Sequence, residues 1–378
     1  MIRYEKAHPG EENKIVDFGN YVFSQSARPH DFRALLPKVY REGKQNAHMH
    51  YVAHDENGDI RAMVACLPLH MEIAGEKLLV GTVGTVSVHP YARGEGHMKH
   101  VMKLMQDDAR AQGMDAVVLG GRRQRYNFFG YEHAGANAVF SLNTDNVRHA
   151  LGAADDTALT FQKVEDGDTA LIDQCYALYQ KGLVRGARPR EEYLSYMRSW
   201  NGTLVAILKD GRFVGALQEC GTLGEVLLEN ESDLPAVIRK WFGAHPETRG
   251  TTLTVWPFEH ERMRILESVA ENMSIAVCQM VHVLNFQNVL NALMKLNAKC
   301  KTLSDGEAVL QIGDERIRVA VAGGIPAVTA TKDAPDLTLS ELEAERLFFL
   351  PTRFLEPGPE CLKNWLPLPW VMPAPDHF

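Results

Sequence analysis

Along the first third of the chain, apolar residues recur first at helical and then at strand spacing. Ile15, Phe18, Tyr21 and Val22 fall on one helical face, and Leu35, Val39 and Tyr40 mark a second short helix. Strand-like runs follow at 50–54, 60–73 and 78–89, with a turn at Asn57-Gly58. Beyond Pro90 the pattern is helical again. Met98, Val101, Met102, Met105 and Ala109 form one apolar stripe, while Lys99, Lys103 and Asp107 face elsewhere. Gly113 stops that helix, residues 116–119 read as a buried strand, and 137–142 as one more strand.

A polar stretch at 153–156 reads as a linker into a second mixed segment. It predicts a helix around Leu171, Cys175 and Leu178, then a hairpin of strands 203–208 and 213–218 turning at Asp210-Gly211. A strand at 252–256, a helix lined by Met263, Leu266, Ala270 and Met273, and one long strand at 275–284 complete it. The last part begins with a helix (Val289, Leu290, Leu293, Leu296) and continues with strands at 308–311, 316–322 and 327–331. A short helix over 341–348 follows, with Ser340 as N-cap and Glu343 as its capping-box partner. The end, interrupted by Pro367, Pro369, Pro373 and Pro375, is predicted to be neither helix nor central strand. Its apolar residues Trp365, Leu366, Leu368, Trp370, Val371 and Met372 nonetheless require it to pack. The fold class is mixed α/β (α+β).

Composition narrows the setting. With 378 residues the chain holds two or three domains. No apolar run is long enough to span a bilayer, and the N-terminus lacks the apolar region of a secretory signal, so neither membrane nor export is expected. Six scattered cysteines without a CxxC pair read as reduced, buried thiols of a cytoplasmic protein. A net charge of −8 argues against a nucleic-acid partner.

The chemistry concentrates where a strand runs into Pro90-Tyr91-Ala92-Arg93-Gly94-Glu95-Gly96 and then into the amphipathic helix. Two glycines there leave backbone N–H groups uncovered, the helix start contributes about half a positive charge, and Arg93 a full one. The junction is a cradle for a pyrophosphate. A Walker loop would need Gly-Lys-Ser/Thr, which is absent, and a dinucleotide fingerprint would need a third glycine where Lys99 stands.

Val86-Ser87-Val88-His89-Pro90-x-x-Arg93-Gly94-x-Gly96 resembles motif A of the GNAT acetyltransferases, and Tyr126-Asn-Phe-Phe-Gly130-Tyr131 resembles the element that follows the next strand in that family. The whole chain is similar to the Eis-type (enhanced intracellular survival) members, which carry two GNAT folds and a sterol-carrier-like domain and acetylate amines, aminoglycosides among them. The resemblance implies a catalytic GNAT domain at 1–150, a degenerate GNAT-like domain at 151–285 that lacks the cradle, and a sterol-carrier-like domain at 286–378. It implies acetyl-CoA as co-substrate, no metal, and an amine-bearing small molecule or peptide as acceptor, in a homo-oligomer, as in the hexamers of the family. Val86 and Val88 backbone groups would bind pantetheine, with an N–H near Val88 stabilising charge that develops on the thioester oxygen. Arg93, Gly94, Gly96 and His97 would hold the pyrophosphate. Tyr126 would be the general acid for the departing thiolate, its alternative being a tyrosine that only packs behind the strand. The α-carboxylate of Phe378 would be the base, acting directly, through water, or by attracting the ammonium; a frayed end without a role is the alternative.

Three weaker groups complete the reading. His48, His50 and His54 are expected to be surface histidines. Arg122, Arg123 and Arg125 form either a solvated turn or a contact for the 3′-phosphate. Asp31 and Asp376 are candidates to receive a cationic acceptor. The rival to a transferase is a non-catalytic protein that binds CoA or an apolar ligand at a decayed site.

Overall fold

The structure, a computed structural model, describes residues 1–25, 28–351 and 358–378. The first 143 residues supply β1 (Arg3–Lys6), β2 (His50–His54), β3 (Ile60–Ile73), β4 (Glu76–Val88), β5 (Ala116–Leu119), β6 (Glu132–Ala134) and β7 (Asn137–Asn143), with helices α1 (Glu12–Ser24) and α2 (His97–Ala111). The middle of the chain adds β8 (Leu159–Lys163), β9 (Val184–Gly186), β10 (Thr203–Lys209), β11 (Arg212–Glu219), β12 (Leu223–Leu228), β13 (Gly250–Val255), β14 (Asn272–Ala276) and β15 (Gln279–Val283). Helix α3 (Phe286–Cys300) leads into β16 (Gly306–Ile312), β17 (Glu315–Ala322), β18 (Ile325–Ala330), β19 (Leu337–Leu339) and α4 (Glu341–Phe349).

Four sheets result. The first has eight strands in the order β1-β2-β3-β4-β5-β15-β6, with β9 added along β3. The others run β12-β11-β10-β8, β13-β7-β14 and β18-β17-β16-β19. The local reasons are those the sequence offers. Burial along β17 alternates, Asp210 and Gly211 both take positive φ as a two-residue hairpin requires, and the Ser340–Glu343 capping box is formed. The stripe on α2 is buried at Val101, Met102, Met105 and Ala109.

Several expectations are corrected. The single strand expected at 275–284 is two strands in two sheets: β14 pairs with β7, whereas β15 lies between β5 and β6. Apolar residues run through both halves, Ile275 to Cys278 and Met280-Val281, so the sequence pattern carries no mark of the change of sheet. Likewise β7 leaves the first segment's sheet to become the centre of the β13-β7-β14 sheet. The helix expected through Met273 ends at Glu267, and Met273 lies exposed on the edge strand β14. The Pro-rich end contains a 3-10 turn at Ala374–Asp376 and is preceded by a helix at Glu360–Trp365. Of the six free cysteines, Cys66 and Cys175 are buried but Cys220 is exposed.

One apolar core joins β3, β4, β5 and β15 to α3, the β16–β18 sheet and the tail residues Trp365, Leu368, Trp370, Val371 and Met372. Each large side chain buried this way is worth roughly 1.5–3 kcal/mol. That holds a chain end which would otherwise fray. No helix among the described residues is long and apolar enough to cross a membrane.

Candidate active site

Strands β4 and β5 run parallel but pair only at Val80–Thr82 with Ala116–Val118. From Val83 onward β4 continues alone on that side. A β-bulge sits there: Ala65 of β3 faces Gly84 and Met63 faces Ser87, so Thr85 and Val86 together oppose one residue. Thr85 has φ +46°, rare for a β-branched residue. Its hydroxyl bonds the Tyr40 hydroxyl at 3.1 Å and its carbonyl accepts from Ser87 Oγ at 2.9 Å. These contacts offset a backbone strain of about 1–3 kcal/mol. The bulge also sets which groups face the gap. The His89 N–H donates to Arg61 on the β3 side at 2.8 Å. With a period of two, Ser87 turns the same way, and the N–H and C=O groups of Val86 and Val88 point to the unpaired side. Buried or half-buried backbone groups of this kind need a partner.

Past β4, a 3-10 turn at Pro90–Ala92 leads to Arg93, Gly94 and the N-cap Gly96 of α2. Gly94 and Gly96 have φ +89° and +83°, and a Cβ at either would meet nothing within 4 Å, so the cradle is open. Gly96 has no side chain with which to cap the first N–H groups of α2. His97 is buried, with Nδ1 2.8 Å from the Tyr4 hydroxyl and Nε2 2.8 Å from Glu95. Its ring is thus engaged, and what it offers the cradle is backbone.

Val86, Val88, Arg93, Gly94, Gly96 and His97 all line a single cleft of about 790 Å³. Lys99, Arg125 and Phe128 line it too, with the Lys99 ammonium 4.8 Å from the Phe128 ring centre. Tyr126 and Phe378 do not line it. Tyr126 is buried beside the wall that Arg125 and Phe128 form, its ring against Gly121, where a Cβ would approach to 2.7 Å. Burial pushes its phenol above the ordinary value, and Arg125 pulls it partly back, so the group is protonated at neutral pH.

The last residue reaches β4. A Cβ on Gly84 would lie 1.7 Å from Cδ1 of Phe378, so the ring rests directly on the bare backbone one residue before the bulge. The ring is also edge-on to Tyr40, with centres 6.2 Å apart, and packs on the cluster formed with α1. Before it, His377 is half-buried, with Nε2 3.2 Å from the Met372 carbonyl, and desolvation holds its pKa down to about 4. The His377 carbonyl accepts from Lys38 and from Trp200 Nε1.

The weaker candidates come out differently. His50 and His54 are buried, not surface residues; His50 bonds Tyr40 and the Asn46 carbonyl, and His54 lies between Glu5 and Glu11. Only His48 of the three is exposed. Asp31 is exposed and caps the Phe32–Leu35 helix through Oδ1, whereas Asp376 is buried against Arg188 and is closed to a cationic acceptor. Arg123 pairs with Glu132, which leaves Arg125 as the member of its run that lines the cleft. Sequence reasoning passed over Gly84, Thr85, Lys38 and Arg188. Lys38, between the apolar Leu36 and Val39, was the one local signal: a lysine on a buried helical turn. The middle segment also has strands that do not pair, β12 and β13, but its helix start there carries Glu231 and Asp233 where the first segment has glycines and Arg93.

Residues 3–134 match the family described as acetyltransferase (GNAT) domain. No curated protein sequence matches the chain. Among solved structures, a probable N-acyltransferase from Enterococcus faecalis V583 superposes with a TM-score of 0.72 at 16% identity, each chain being covered completely. A GCN5-related N-acetyltransferase from Anabaena variabilis gives 0.68 at 17% identity, again with 100% of both chains covered. Eis1 from Mycobacterium abscessus gives 0.64 at 12% identity, also with 100% of both chains covered. The shared fold extends over the full length and is consistent with tandem GNAT folds. Together with the domain match, it supports an acyltransferase enzyme.

Proposed function

We propose that the protein is an acetyl-CoA-dependent N-acetyltransferase. In a ternary complex, a primary amine of a small molecule (aminoglycoside-like) or peptide attacks the thioester directly. The observation that carries this reading is the unpaired edge of β4, where Val86 and Val88 aim backbone groups into a cleft with the open Arg93-Gly94-x-Gly96 cradle at its end. A pantetheine chain supplies the amides that such an edge lacks, and the cradle suits a pyrophosphate. The residues present therefore fit the co-substrate.

In this reading the amine nitrogen bonds the carbonyl carbon and the carbon–sulfur bond breaks. Tyr126 gives its proton to the sulfur, and the amine proton passes to the Phe378 carboxylate. The first domain, 1–150, does the chemistry; 151–285 is an architectural GNAT-like domain, since its helix start carries Glu231 and Asp233, paired with Arg262 and Lys209, in place of the glycines and Arg93 of the cradle. Residues 286–378 form a sterol-carrier-like domain that delivers the tail. The protein works in the cytoplasm.

The test measures thiol release from acetyl-CoA with a panel of amines: kanamycin A, spermidine and a lysine-containing peptide. Acetyl-CoA binding is followed by calorimetry alongside. Acetyl-CoA binding with turnover of at least one amine is expected. Absence of acetyl-CoA binding would overturn the proposal in favour of a different acyl donor or a decayed site.

A further inference from the structure

The terminal carboxylate is useful only if it is held still, and chain ends usually are not. Two residues before the end, Asp376 is fully buried. Arg188 Nε donates to its Oδ1 at 2.7 Å and Nη2 to its Oδ2 at 3.3 Å. The other edge of the same guanidinium donates to both carboxylate oxygens of Glu225 at 2.9 Å. Its face lies 3.9 Å from the centre of the Tyr179 ring, whose hydroxyl donates to the Gly186 carbonyl at 2.8 Å and stands 3.4 Å from Asp376 Oδ2. Gly186 makes the room: a Cβ there would stand 2.7 Å from Asp376 Oδ2.

From the first segment, buried Lys38 donates to the carbonyls of Pro375, at 2.7 Å, and His377. The Arg188 guanidinium is thus matched by Asp376 and Glu225, as a buried charge requires, while burial lowers the Lys38 ammonium to about 7 and leaves it a donor to the two carbonyls. Such a network is far more than burying a spent tail requires, because the apolar residues 368–372 already do that. What it fixes is the two residues that follow Asp376.

We propose that Arg188 is a positioning residue for the terminal carboxylate. Through Asp376, it fixes the last residue, whose ring rests on Gly84 of β4, and with it the Phe378 α-carboxylate. With only two residues between, of at most ~3.6 Å each, the anchor translates almost directly into the place of the terminus. The inference rests on the reading of that carboxylate as the base.

Asp376→Ala tests it, since it cuts the link while leaving the Arg188–Glu225 pair whole; Asp376→Asn serves if the alanine variant melts below the assay temperature. Two readouts are taken on the full-length enzyme. Release of Phe378 by carboxypeptidase A reports the hold on the terminus directly, and kcat with the best amine of the panel reports its use. Release is expected to accelerate at least about tenfold and kcat to fall about 10²-fold, with acetyl-CoA affinity unchanged. In a chain lacking Phe378, Asp376→Ala should cause no further loss of kcat, because both changes act on one group.

Unchanged release and unchanged kcat overturn the inference, as does an equal loss of kcat with and without Phe378. Faster release with unchanged kcat overturns it differently: the clamp is real, but the carboxylate is not the base, and the reading beneath the inference fails.

Discussion

Gly84→Ala isolates the contact between the terminus and β4. The Gly84 φ is not in the left-handed region, so alanine brings no backbone strain and the substitution acts through its methyl group alone. That methyl would overlap three ring carbons of Phe378, at 1.7, 2.3 and 2.3 Å. An ordinary contact begins near 3.4 Å, so the ring has to retreat by about 1.7 Å. Overpacking of this kind costs about 1–3 kcal/mol where neighbours resist, which for a chain of this size is a loss of several degrees in Tm. The catalytic effect is larger, since a displacement of about 1 Å at a reacting group reduces turnover on the order of 10²-fold. The neighbouring donors of Val86 and Val88 are backbone and remain, so acetyl-CoA affinity by calorimetry should stay within about twofold of wild type. The assay is thiol release at saturating acetyl-CoA over a range of amine. Wild-type kcat in Gly84→Ala, with the ring displaced in a crystal structure of the variant, would refute the role given to the terminus.

Tyr126→Phe should lower kcat about 10²-fold without changing acetyl-CoA binding, and unchanged turnover would make Tyr126 a packing residue. Appending one residue after Phe378, or amidating it, should cripple turnover while melting stays near wild type; full activity in either form shows an idle terminus. Buried His50 and half-buried His377 each have their pKa held down to about 4. The unfolded chain therefore binds protons below about pH 6.5 that the folded chain refuses, and stability falls as pH drops from about 6.5 to 4. Melting scans across that range should show the loss, and His377→Asn should flatten part of the slope; a slope identical to wild type removes His377 from the explanation.

What could be read from the sequence was what is local. The cradle from Pro90 to Gly96, the stripe on α2, the Asp210-Gly211 turn and the Ser340 cap are each written within a few consecutive residues, and each forms as expected. The unpaired edge of β4 was implied by the family resemblance, since the residues alone do not say which strand lies beside β4 or how far the two pair. What escaped is what joins distant parts. The exchange of β7 and β15 between sheets depends on partners chosen in three dimensions, and the residues of neither strand say which sheet it joins. The clamp on the tail pairs Arg188 with a carboxylate 188 residues away and Lys38 with a carbonyl 337 away. His50 and His54 were misjudged for the same reason: polar residues on a strand look solvated until Tyr40, Glu5 and Glu11 close over them.

The most direct measurement is amide hydrogen exchange at Val86 and Val88 with and without acetyl-CoA. The account predicts fast exchange at both amides in the free protein and strong slowing on binding, with Gly94 and Gly96 slowed alongside. Binding that leaves Val86 and Val88 exchanging at their free rates would contradict it.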